Sequence, residues 1–80
     1  MTNLKRLHIA MSMNIDGKPW RVTITRPFAL NALARRGLSD AEFFQFVDDQ
    51  GGAISLLAKR KVKRHQLQGG RVTLDESDLA

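Results

Sequence analysis

The sequence predicts an α+β domain with the element order β-β-α-α-α-β, and three observations carry that expectation. Apolar and polar residues alternate on both sides of Asp16-Gly17, the patterning of a β-hairpin. After Ile24 the period changes: Thr25-Arg26-Pro27 and Ser39 with Glu42 read as helix starts, and Ile54, Leu57, Ala58 and Val62 recur at three- and four-residue spacing, which is helical patterning. Alternation returns at Arg71-Val72-Thr73-Leu74 after Gly69-Gly70, so a C-terminal strand adds to the hairpin. The expected architecture is one small domain over residues 1–80: an N-terminal antiparallel hairpin plus a C-terminal strand in an antiparallel sheet, with the helices packed on one sheet face.

The hairpin can be registered on paper. Leu7, Ile9, Met11 and Met13 share one face and His8, Ala10 and Ser12 the other; Trp20, Val22 and Ile24 alternate likewise with Arg21, Thr23 and Thr25. With Asp16 and Gly17 as the loop, Met13 faces Trp20, Met11 faces Val22 and Ile9 faces Ile24, and a one-residue slip destroys the match. Pro19 then lies opposite Asn14. Lacking an amide hydrogen, it requires the second strand to begin beyond it or to present that side at an edge.

Thr25-Arg26-Pro27 reads as a helix start, with Thr25 or Arg26 as cap, and Gly37 as its left-handed stop. Ser39 and Glu42 have capping-box spacing, and Leu38 with Phe43 the spacing of a hydrophobic staple, so a second helix runs from Asp40 to about Gln50. Its Phe43, Phe44, Phe46 and Val47 are mostly to be buried. Gly51-Gly52 ends or bends it. The third helix, Gly52 to His65, carries Ile54, Leu57, Ala58 and Val62 on one face. After Arg71–Leu74 the acidic tail begins a helical turn at Asp75, with Leu79 tucked back.

Eighty residues suffice for one small core. Thirteen Lys and Arg against eight Asp and Glu leave a charge of +5, which suits an acidic partner, either nucleic acid or an acidic protein surface. The absence of cysteine excludes disulfides and Cys-based zinc sites. No apolar run approaches the roughly 18 residues of a membrane span, and the opening MTNLKRLHIAMSMNIDG lacks the features of a signal peptide. The expectation is a cytoplasmic protein without membrane association.

The densest charge lies at the end of the third helix. At about 100° per residue, Lys59 and Lys63 fall opposite the apolar stripe, Arg60 and Arg64 lie along its border, and Lys61 falls nearest the core. Lys59, Arg60, Lys63 and Arg64 are therefore the candidate contacts for an acidic partner, through phosphates in the case of nucleic acid. Ala32 to Phe46 fails as a helix-turn-helix. Leu33 stands where a small residue is needed, and Asp40, Glu42, Asp48 and Asp49 would repel phosphates. His8 and His65 have no metal-ligand spacing, no catalytic set is recognisable, and neither enzyme activity nor a cofactor is expected. Trp20 shares the face of Val22 and Ile24 and reads as core. The second class of function is protein interaction or homo-oligomerisation through the open sheet face of His8, Ala10, Ser12, Arg21, Thr23 and Thr25, or through a sheet edge.

The order of features from about Trp20 onward carries a resemblance. A strand leads through Val22-Thr23-Ile24-Thr25-Arg26 into a helix. The aromatic Phe43–Phe46 helix follows, then Ile54-Ser55-Leu56-Leu57-Ala58-Lys59-Arg60-Lys61, and finally Val72-Thr73-Leu74 with Asp78-Leu79. This resembles the small bacterial family called domain of unknown function 1488. The resemblance implies a hairpin-led sheet with helices on one side, and it assigns no activity and no catalytic or binding residue.

Overall fold

Asp16 and Gly17 both adopt positive φ, 53° and 81°, the two left-handed residues of a tight hairpin turn whose twist matches its strands. The computed structural model describes residues 6–79, and in it the turn joins β1 (His8–Ile15) to β2 (Lys18–Thr25). The expected register is the observed one: Met13 pairs with Trp20, Met11 with Val22 and Ile9 with Ile24. Pro19 lies within β2, opposite Asn14. The Arg21 amide points away from β1 and donates to the Gly70 carbonyl at 2.8 Å. Pro19, two residues earlier, has the same parity, so its missing donor falls just short of the third strand.

Thr25 caps α1 (Arg26–Leu33), its hydroxyl accepting from the Phe28 amide, with Pro27 in the first turn. The helix stops before Gly37. Ala34 takes the left-handed conformation at φ 53°, its amide bonds back to Asn31, and the Arg35 amide donates to the Leu30 carbonyl at 3.0 Å. Gly37, expected as the stop, is not left-handed. Leu38 must return to the core, where it is 3% exposed, and the chain has to turn before Gly37 to deliver it.

The capping box forms as expected. Ser39 accepts from the Glu42 amide and Glu42 from the Ser39 amide, starting α2 (Asp40–Asp49). Phe43, Phe46 and Val47 are buried, whereas Phe44 stays 47% exposed. One non-helical residue, Gln50, separates α2 from α3 (Gly51–Arg64). Its amide donates to Phe46 and its carbonyl accepts from Ile54, so the two helices meet in a bend at Gln50 and the glycines lie in the next turn. The end of α3 repeats the end of α1. Gln66 is left-handed, and the Leu67 amide donates to the Val62 carbonyl at 2.9 Å.

β3 (Arg71–Leu74) joins β2, but the sheet is mixed where an antiparallel one was expected. Arg71, Val72, Thr73 and Leu74 run parallel to Arg21, Val22, Thr23 and Ile24, giving the strand order β1-β2-β3. The three intervening helices supply the long crossover that parallel neighbours require. A 3-10 turn, Glu76–Leu79, closes the described chain; the expected packing of Leu79 and the reading of residues 1–5 lie outside the described residues and side chains.

The core forms between the sheet and the helices. Ile9, Trp20, Val22, Ile24, Val72 and Leu74 meet Phe28, Phe43, Phe46, Ile54, Ala58 and Val62. Phe28 and Phe46 meet edge to face, 6.2 Å between centroids. Phe28 and Phe43 are 2% and 0% exposed, and burying each contributes about 2–3 kcal/mol. Among the described residues nothing covers the opposite sheet face, where His8, Ala10, Ser12, Arg21, Arg71 and Thr73 are exposed.

Candidate functional site

With Ile54, Ala58 and Val62 buried, α3 turns its charged residues outward in the order expected from their angles, but neighbouring elements sort them into two groups. Lys59 and Lys63 reach over the hairpin turn, their Nζ atoms 3.9 and 3.7 Å from the Asp16 carboxylate. All three side chains are about half exposed, so each contact contributes at most about 1 kcal/mol. Asp16 nevertheless offsets the repulsion between the two lysines, which the sequence alone left without a counter-ion.

Arg60 and Arg64 turn the other way. They line an open groove of about 400 Å³ with Leu57, Lys61, His65, Ser77 and Asp78. Lys61 is the structural member: its Nζ donates to the Thr73 carbonyl at 2.5 Å and to Asp78 Oδ2 at 2.9 Å, tying α3 to β3 and the C-terminal turn. Asp78 also accepts from the Asp75 amide at 2.8 Å. Hydrogen bonds from the Ser77 hydroxyl and then its amide lower the pKa of Asp75. The groove floor is thus a braced acidic turn whose one inward carboxylate, Asp78, is matched by Lys61. Among the described residues, Arg60 and Arg64 have no carboxylate partner.

Sequence reasoning missed the residues that extend this surface. The parallel register sets Arg71 directly beside Arg21 on the open sheet face, both exposed. Lys18 follows the turn that Lys59 and Lys63 cover. Among the described residues none of these three forms an ion pair. Arg21 was legible as an outward residue of the hairpin, whereas its pairing with Arg71 depends on strand direction. Arg26 and Arg35 are used within the fold, paired with Asp40 and Glu42. His8 and His65 lie on different elements, one beginning β1 and one following α3, and both are exposed. Among the described residues no helix is long and apolar enough to cross a membrane.

Comparison of the chain with protein-family models, with curated proteins and with solved structures returned no match.

Proposed function

We propose that this chain is a cytoplasmic, non-enzymatic binding module that presents a basic surface to nucleic acid through phosphate contacts. The observation that supports it is the pair Arg60 and Arg64 on the groove, without carboxylate partners among the described residues, with Arg21 and Arg71 side by side where β3 begins. Arginine suits phosphate because its planar donors can take two oxygens at once. Trp20 and three of the four phenylalanines are in the core, and the exposed Phe44 lies on α2 beside Met11, on none of the elements that carry these cations. Recognition would therefore follow backbone charge with little sequence preference. Lys59 and Lys63 join these contacts once a phosphate competes with Asp16. The resemblance to domain of unknown function 1488 belongs to the same reading, and that family names no partner.

The test is a salt titration of affinity for mixed-sequence duplex and single-stranded DNA and RNA. Wild type should bind duplex with a log-log slope of about −3 to −4 if four cations engage, near −0.9 for each phosphate neutralised. Arg60→Glu with Arg64→Glu should weaken binding and flatten the slope while leaving the fold intact, because both side chains point away from the buried stripe. Lys59→Glu with Lys63→Glu should have a smaller effect. No binding at low salt, or equal affinity in wild type and the arginine variant, overturns the reading. Capture of an acidic protein in a nuclease-treated lysate, with no nucleic-acid binding, would assign the same surface to a protein partner.

A further inference from the structure

Among the described residues the outer edge of β1 is open, and the strand carries none of the devices that keep sheet edges from pairing. The Arg26 amide donates to the Leu7 carbonyl at 2.8 Å, and the ladder continues from there. Odd-numbered residues of β1 thus turn their backbone groups toward β2, and His8, Ala10, Ser12 and Asn14 turn theirs outward. Folded proteins block such edges with lysine, proline, bulges or shortness. β1 runs for eight residues in unbroken register and contains no Lys, Arg, Asp, Glu or Pro. β3, the opposite edge, has four residues and opens on an arginine. Beside the β1 edge the covered face is incomplete. Met11 is half-buried, and a groove of about 510 Å³ separates it from α2, where Phe44 is 47% exposed.

We propose that β1 pairs with β1 of a second copy of this chain, antiparallel about a two-fold axis at Met11, joining the two sheets into one. Parity selects the register. Outward-facing residues must meet outward-facing residues, and only pairing His8 with Asn14 and Ala10 with Ser12 of the second copy engages all four from each strand. Met11 then faces its own counterpart on the covered side, beside the two grooves that run to Phe44, whose ring carries the Arg6 guanidinium at 5.0 Å. The paired strands carry no Lys, Arg, Asp or Glu, so the contact sets no like charges against each other although each chain carries +5. The arrangement leaves Arg60, Arg64, Arg21 and Arg71 free and does not depend on nucleic-acid binding.

The test combines light scattering with cysteine crosslinking in the full chain, which has no cysteine of its own. Wild type should shift from monomer to dimer between micromolar and sub-millimolar concentration. Met11→Cys should form a disulfide-linked dimer on mild oxidation, because facing Cα atoms in a non-hydrogen-bonded antiparallel pair lie about 4.5 Å apart, within disulfide range. His8→Cys should not, since its counterpart lies at the far end of the paired strands. Ser12→Pro removes an outward amide without touching the hairpin ladder and should give a monomer with wild-type circular dichroism. If that variant does not fold, the crosslinking pair decides. A wild type that stays monomeric throughout, a folded Ser12→Pro variant that still dimerises, or crosslinking of His8→Cys and not Met11→Cys overturns the proposal.

Discussion

Arg26, the first residue of α1, is ion-paired with Asp40, the first residue of α2, although its own side chain is 9% exposed. The same guanidinium donates to the Leu38 carbonyl and, through Nε, to the Arg6 carbonyl at 2.7 Å. Its carbon lies 5.1 Å from the centre of the Phe43 ring. One planar cation therefore ties the chain preceding β1 to the start of α2 over a buried aromatic. Arg26→Ala should lower stability by about 2–4 kcal/mol, since it leaves the buried Leu38 carbonyl and the partly buried Arg6 carbonyl without this donor. Arg26→Lys should recover little, because an ammonium cannot span the three acceptors in a plane. Urea denaturation of the three proteins measures both effects.

Glu42 provides a pH signature. The Ser39 amide, the Arg35 guanidinium and then the Ser39 hydroxyl lower its pKa from 4.5 to about 2. A folded pKa below the unfolded one means that this stabilisation is complete above about 4.5 and is lost as the pH falls toward 2. Asp75, also lowered, adds its own acid-side loss. Glu42→Gln should therefore reduce the fall in the urea midpoint between about pH 5 and pH 2 without abolishing it. At neutral pH, Ser39→Ala should cost about 1 kcal/mol.

Two helices end on left-handed residues that are not glycine. Ala34 and Gln66 have φ of 53° and 51°. Ala34→Gly and Gln66→Gly should each raise stability by about 1 kcal/mol, the usual strain of a left-handed L-residue. Gly37→Ala should be neutral or slightly stabilising, because that position has ordinary φ and open space around it. Thermal melts of the three single variants rank them.

Asp16 competes for the two lysines that reach over the turn. Asp16→Asn keeps a residue suited to positive φ and should leave the melting curve unchanged. It should raise affinity for duplex DNA and steepen the salt slope by about 1 to 2 units, as Lys59 and Lys63 become free to meet phosphates.

The hairpin register, the start of α2 and the buried stripe of α3 were all determined by the sequence alone. Each depends on groups a few residues apart: Asp16-Gly17 turns the chain, Ser39 and Glu42 share their hydrogen bonds, and Ile54, Ala58 and Val62 align by helical period. Covalent spacing sets these relations before any long-range packing exists. The end of α1 was misread because Gly37 advertises a local stop, while the burial of Leu38 moves the turn back to Ala34. The four candidate cations were legible as outward residues, but their sorting was not. Lys59 and Lys63 meet Asp16 more than forty residues away in the chain, and Arg60 and Arg64 face the groove that the C-terminal turn completes. Only the tertiary structure decided that β3 runs parallel to β2, that Arg71 stands beside Arg21, and that Arg26 bridges to Asp40. Those outcomes follow from how three helices fit over one sheet, a packing problem shared by the whole chain and written in no single stretch of it.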